Sequence, residues 1–373
     1  MFKISFCTVA MNRLSHIKET FIKNILDNIN YPKLEFNLLN YNSTDGLDDW
    51  AQKELKQYID NGIVNYYRTD DPEYFHRSHS RNMIFKLSSG DIVCNVDADN
   101  FCGVGFAEYI NEVMSENENY ERSFLIPTRE LREESDRNSY GRIAVRRADF
   151  FALKGFDERM DGYGFEDTDF INRLQKMGKI PVLIKEANYL KGISHSQSLR
   201  ISEEKYCKTI SNIFIAQIEP YASKVLFLFR DHAFHCATLI DCEVMASFRL
   251  QRKQLSNKYS KYKYPIEFED HRMYSGIWNE HDNNISLYFN FRNKNLCLQY
   301  KPQSDTYEDD KGASSFFIVK SDYLKENLIY LFPQIQNRNY MDINLTSDIP
   351  VNKQGFGKGW VYRNLENKPV QLA

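Results

Sequence analysis

From Met1 to about Pro181 the chain alternates short apolar runs with longer amphipathic ones, and nothing else in the sequence narrows the fold as far. "KISFCTVA", "FNLLNYN" and "IVNYYRT" read as strands, while "SHIKETFIKNILDNI" and "LDDWAQKELKQYIDNG" between them carry apolar residues at helical spacing. Strands separated by helices pair as crossover-linked neighbours, giving a sheet with helices on its faces. "HSRNMIFKLSS" reads as a further helix that ends at Gly90, where a glycine suits a left-handed stop, and the strand "DIVCNV" follows. Asp97 then falls at a strand's carboxyl end, where open α/β sheets bind their ligands.

Residues 127–142, "PTRELREESDRNSYGR", are dense in charge and lack apolar periodicity, which reads as a solvated loop able to close over a ligand. Order resumes after it. Phe170, Ile171, Leu174 and Met177 recur at helical spacing, so a helix begins near Glu166, holds Glu166, Asp167 and Asp169 in its first turn, and closes at Gly178. After about Glu219 the texture shifts to short aromatic runs, "KVLFLFRD", "ISLYFNFRN", "LCLQYK" and "SFFIVK". The 373 residues, 42% of them hydrophobic, suit two cores better than one, and the expected division is an α/β domain over 1–219 and a smaller strand-rich domain over 220–373. "RLQRKQLSNKYSKYKYP" interleaves cations with tyrosines; a solvated linker is the favoured reading and a phosphate or lipid head-group patch the alternative.

Composition excludes several classes. With 48 Lys and Arg against 51 Asp and Glu, the chain offers no global attraction to nucleic acid or to an anionic membrane. The seven cysteines are scattered without a zinc-like spacing, which points to reduced thiols and a cytosolic setting. The N-terminal "FKISFCTVAM" lacks the basic cluster and cleavage site of a signal peptide and reads as a first strand. No apolar run approaches the ~20 residues of a spanning helix, so the expected membrane contact is at most peripheral, at the inner face. Neither a Gly-rich phosphate loop nor G-x-G-x-x-G follows the first strand, which disfavours nucleotidyl transfer and dehydrogenase chemistry.

Two acidic clusters carry the chemistry. In "CNVDADNFCG", Asp97 and Asp99 stand two apart on extended chain and can offer oxygens to one side of the strand end, as a hard divalent cation requires. The competing reading is that both acids cap a turn. Phe101 and Gly103 rule out an EF-hand loop. In "GYGFEDTDF", acids open a helix, which the helix dipole alone rewards, but the Gly-Tyr-Gly lead-in is left unexplained by that. "GISHSQS" adds His195 in a polar stretch.

Taken together, "MNRLSHI", "NSTDG", "FHRSHSRN", "VDADN", "GFDERMDGYGFEDTDF" and "ISHS" occur in an order that resembles the inverting GT-A glycosyltransferases, the family 2 bacterial enzymes and the β-1,4-galactosyltransferases above all, over residues 3 to 200. The resemblance implies a Rossmann-like mixed sheet with flanking helices. It implies that Arg13 and the stretch around Asp45 line a nucleotide pocket, that Phe75 and Arg77 contact base and phosphate with Asn82 in support, and that Tyr163 and Gly164 lie against the sugar. Asp97 and Asp99 match the D-x-D that holds a divalent ion on the diphosphate, and His195 matches its histidine ligand. Asp167 matches the catalytic base and Glu166 an acid facing the acceptor. Asn40 and Tyr41 stand where many relatives have acids that read uracil, and Tyr163 where many have Trp.

The activity implied is metal-dependent, inverting transfer of a hexose or N-acetylhexosamine from a nucleotide sugar, a UDP-sugar first, to a glycan or lipid-linked hydroxyl, as in polysaccharide biosynthesis. Two carboxylates with one imidazole lean the ion toward Mn2+ over Mg2+. The alternative is a lapsed transferase fold that binds nucleotide sugar or glycan without turnover. Sugar, linkage, oligomeric state and the role of residues 220–373 stay open at this point.

Overall fold

The structure is a computed structural model describing residues 1–116, 120–128, 139–219, 222–241, 266–268, 274–281, 286–291, 294–309 and 315–373. Two compact units emerge, Met1–Lys205 with Tyr340–Ala373, and Tyr206–Asn339. The boundary expected at 219 is thus drawn at 205, and residues 340–373 belong to the first unit instead of the second. Residues 129–138 of the charged loop and the whole 249–265 segment lie outside the described residues.

In the first unit the strands are β1 Ile4–Ala10, β2 Leu34–Tyr41, β3 Val64–Thr69, β4 Ile92–Asn95, β5 Ser123–Pro127, β6 Ala144–Arg146 and β7 Ile180–Ile184. The second unit contributes β8 Ile210–Glu219, β9 Ala222–Phe229, β10 Ala233–Asp241, β11 Ile266–Phe268, β12 Tyr274–His281, β13 Ser286–Phe291, β14 Lys294–Lys301, β15 Thr306–Asp309 and β16 Ser315–Ile318. The chain then returns to the first unit with β17 Gly359–Arg363 and β18 Pro369–Leu372.

The first sheet runs β18-β17-β3-β2-β1-β4-β6-β5-β7. Its centre is parallel, β1 lying between β2 and β4; β6 and β17 join it antiparallel on either side, and the outermost pair β5–β7 is parallel again. Helices Leu14–Asn28, Arg77–Leu87 and Phe106–Glu116 are the crossovers that parallel pairing demands. Central strands are buried on both faces: Phe6, Ile17, Phe21, Phe36 and Phe106 pack on one, Leu39, Phe85, Phe150, Phe156 and Phe170 on the other. Because β1 leads outward to β2 on one side and borders β4 on the other, the chain order reverses between them, which opens a crevice at their carboxyl ends.

Helix Glu166–Lys176 starts where the acidic pattern places it. Gly90, however, is not a left-handed stop. The preceding helix ends at Leu87 with Ser88 extended, and Gly90 is needed for close approach, since an added Cβ would lie 2.5 Å from Ser5 Oγ and 2.8 Å from the Ser5 nitrogen.

The second unit is an antiparallel sheet of order β11-β10-β12-β13-β14-β15-β16-β8-β9, and the added β10–β9 pairing brings the order back on itself. Phe214, Leu226, Phe234, Trp278, Phe289 and Leu298 form its core. A helix absent from the sequence reading, Asp322–Thr346, carries Phe332 onto Phe227 with 4.5 Å between ring centroids. Among the described residues no helix is long and apolar enough to cross a membrane.

Candidate active site

β1 and β4 deliver the chain to the crevice at Arg13 and Asp97, and the start of helix Arg77–Leu87 approaches from a third direction. At its centre is a residue the sequence reading passed over, Arg81. Its Nη1 donates to Asp167 Oδ1 at 2.7 Å and to Glu166 Oε1 at 3.4 Å, while Nη2 donates to Asp97 Oδ1 at 3.1 Å. Three carboxylates from two distant segments thus converge on one guanidinium, which supplies the counter-charge that paired acids at a strand end require. Gly141 backs the same spot: a Cβ there would sit 2.9 Å from Arg81 Nη2, 3.0 Å from Asp97 Oδ2 and 3.2 Å from Asp167 Oδ2. Any side chain at 141 would fill the space the carboxylates face.

The acids differ in state. Burial pushes Asp167 up, and Glu166 and Asp97 add to this against the pull of Arg81, so its pKa is raised to about 7. Asp97 is also penalised by burial, but Arg81 and the Asn95 amide at 2.9 Å outweigh it and its pKa is lowered. Arg81 itself loses to burial but gains more from Asp167, Asp97 and Glu166, and stays firmly charged. Two carboxylates one guanidinium apart are therefore held in opposite directions, the usual mark of groups with different chemical tasks.

The Gly-Tyr-Gly lead-in has a backbone cause. Gly162 and Gly164 have φ of +83° and +102°, and Phe165, the residue before the helix, has φ +71°. A non-glycine there costs about 1 kcal/mol. This tight entry lets the Gly164 N–H donate to Glu166 Oε2 at 3.0 Å and fixes that carboxylate.

A second cluster surrounds Arg77. Its guanidinium lies 4.8 Å from the Tyr163 ring centroid and 5.3 Å from that of Phe75, with Nε 3.9 Å from Glu166 Oε1. Nη1 donates to Glu204 Oε1 at 2.5 Å. Burial raises Glu204, as do Glu166 and Asp161, so that despite Arg77 its pKa reaches about 7. Arg13 donates to the Leu199 carbonyl. Phe75, Arg77, Tyr163 and Arg13 are thus joined through one segment, residues 199–204.

Other expected residues are placed elsewhere. Asp45 Oδ2 accepts from the Leu14 N–H at 2.7 Å and so satisfies the start of helix Leu14–Asn28. Asn82 is fully buried; its amide donates to the Phe156 carbonyl and to the Glu158 carboxylate, and its oxygen accepts from the Phe156 N–H, pinning the 155–158 turn. Asn40 bonds Asp48 at 2.9 Å, and the Tyr41 hydroxyl meets His79 Nδ1 at 2.7 Å. Both departures from the resembled pattern are used inside the protein.

Asp99 and His195 do meet, with Oδ2 2.8 Å from Nε2. The Ile193 N–H donates to the Asp99 carbonyl at 2.8 Å and an Asn100–Gly192 bridge ties the two segments together. A carboxylate with an imidazole is a donor pair suited to Mn2+. Asp97 does not join it, being turned to Arg81 and Asn95, and among the described residues no three His, Cys, Asp or Glu side chains are grouped to hold an ion. Of the three expected ligands, Asp99 and His195 are thus in contact, while Asp97 faces Arg81 and Asn95. Arg81 itself was discoverable, since it lies four residues after Arg77 on the same helix face.

No curated protein matches the chain in sequence. Among solved structures, a mannosyltransferase from Pyrobaculum calidifontis in complex with GDP-Man and Mn2+ is 17% identical with a TM-score of 0.43, covering 54% of this chain and 60% of that one. S. aureus TarS in complex with UDP is 14% identical at TM-score 0.42, over 53% and 62% of the two chains. The catalytic domain of Drosophila β1,4-galactosyltransferase 7 in complex with xylobiose is 14% identical at 0.36, over 55% and 75%. The first two are matched over less than two thirds of their own length, and likenesses this low say nothing of this chain's substrate. The family model for glycosyl transferase family 2 matches residues 5–175, the span that supplies β1 to β6 and both acidic clusters. Residues 5–175 are therefore a glycosyl transferase family 2 domain of GT-A fold, the domain type of glycosyltransferase enzymes.

Proposed function

We propose that this chain transfers a hexose or N-acetylhexosamine, with inversion, from a UDP-sugar to a hydroxyl of a glycan or lipid-linked acceptor. The observation that carries this reading is the convergence of Asp167, Glu166 and Asp97 on Arg81 around Gly141, at the carboxyl end of β4 and inside the matched domain.

Asp167 is the general base. An acceptor hydroxyl must lose its proton as it attacks, and a carboxylate whose pKa lies at about 7 is poised to take it near neutral pH, a contribution of about 10²- to 10⁴-fold. Glu166, fixed by the Gly164 N–H, orients the acceptor. One base on the side opposite the leaving group gives inversion without a covalent intermediate. Arg13, Phe75, Arg77 and Tyr163 form the nucleotide side, where guanidinium charge meets phosphate. Asp99 and His195 would hold a divalent ion, and that ion supplies Lewis-acid stabilisation of the departing diphosphate.

The test is a panel of UDP-sugars with manganese, read as UDP release with and without acceptor. Turnover from at least one is expected; no binding and no release from any of them overturns the reading. Asp167→Asn is expected to keep UDP affinity within about twofold and lose about 10²-fold or more in transfer, by calorimetry and by product formation. Equal loss of both would remove Asp167 from the base role.

A further inference from the structure

Residues 196–204 make a set of contacts that the proposed reaction does not use. Ser196 caps the short helix Gln197–Ile201 and its carbonyl lies 3.1 Å from His195 Nδ1; from there the segment reaches toward the nucleotide side. The Leu199 carbonyl accepts from Arg13, and the Arg200 carbonyl accepts from Arg77 Nη2 at 3.3 Å. Arg200 Nη1 donates to the Tyr163 hydroxyl at 3.3 Å, and the Glu203 carbonyl accepts from the Phe75 N–H at 2.8 Å. Glu204 then places its carboxylate on Arg77.

Each of these bonds made by residues 199–204 ends on Arg13, Phe75, Arg77 or Tyr163. The last is the telling one. A carboxylate and a phosphate compete for the same planar donor pair of an arginine. The side chains of Arg77 and Glu204 are 11% and 3% exposed, so the pair is held out of water, where neither charge is readily exchanged for solvent. Arg81 is already committed to three carboxylates, which leaves Arg77 as the cation beside Glu166 whose partner comes from outside the matched domain.

We infer that residues 196–204 are an autoinhibitory latch, in which Glu204 occupies on Arg77 the place of a nucleotide's diphosphate, so that binding of a nucleoside diphosphate requires the latch to release. This rests on the nucleotide-binding reading given above. Above about pH 7, where Glu204 is ionised, the release is an exchange of one anion for another on a fixed guanidinium. It breaks no covalent bond and needs no movement of the sheet.

The experiment pairs a variant with the unaltered protein. UDP titrated calorimetrically in the presence of Mn2+ should bind Glu204→Gln at least about fivefold more tightly than wild type, the lower end of ordinary coupling between competing states. In wild type, added UDP should speed hydrogen exchange at the Phe75 amide, because that N–H loses the Glu203 carbonyl when the latch lifts. UDP that binds wild type but binds Glu204→Gln no more tightly overturns the latch and leaves the function standing. So does UDP that slows exchange at Phe75 in wild type, a measurement that holds even if the variant fails to fold. UDP that binds neither protein overturns both.

Discussion

The two units bury different things. In the first, the interior holds His16, Glu35, Arg81, Arg142, Asp149, Asp157, Glu166, Asp169, Arg173 and Glu204; in the second, the buried polar side chains among the described residues are Ser286, Thr306 and Asn337, none of them an acid, arginine or histidine. Taking an ion from water costs several kcal/mol, and a buried pair regains this only with good geometry. The second unit avoids that cost with phenylalanine, leucine and tryptophan. The first accepts it in the crevice, where Arg81 and Arg77 neutralise the acids, and beside it, where Asp169 pairs with Arg173 at 2.7 Å and the Asn344 amide bridges Asp157 and Asp169. Charge retained at such expense marks where the chemistry is proposed to lie.

That contrast can be broken most directly at Arg81. Arg81→Met keeps bulk but leaves Asp97, Glu166 and Asp167 without their shared cation, and a loss of about 3–5 kcal/mol in urea unfolding is expected, with transfer abolished. A variant as stable as wild type would show that the crevice bears no such cost. In the second unit the matching change is apolar. Leu298→Ala, at a fully buried core position, should cost about 2–4 kcal/mol and leave UDP affinity unchanged by calorimetry. A fall in UDP affinity would mean that the contrast between the units does not separate their roles.

The smallest effect sharpens the comparison through pH. Asp167 has a folded pKa of about 7 against about 3.9 for an unfolded aspartate, so the native state binds the extra proton between these values. Its protonated form therefore favours the fold fully below about pH 4, and this contribution is lost as pH rises through about 7. Transfer runs the other way, since the base must be ionised, and kcat/KM should rise about tenfold per pH unit below 7 and level off above it. A profile flat from pH 5 to 8 would take the base assignment away from Asp167.

Much of this was legible locally. The strand and helix alternation up to Pro181 and the helix start at Glu166 follow from periodicity, because neighbours in sequence decide them. The meeting of Asp97 with Asp167 does not, for it depends on Arg81 lying at the right height on a helix sixteen residues before one acid and eighty-six before the other. Glu204 carries no local signal either. Helix Asp322–Thr346 has no clean apolar stripe and contains Pro333, so its periodicity is faint. The return of β17 to β3 is likewise a pairing of Tyr362 with Arg68, across most of the chain.

That return has a consequence for biogenesis. During synthesis every residue of the second unit is joined to the chain before β17 and β18 are made, so β3 stands for that interval as a bare edge with open amides and carbonyls. The nascent protein is thus most open to strand-wise self-association, and most in need of chaperone shielding, late in translation, when nearly all of its length already exists.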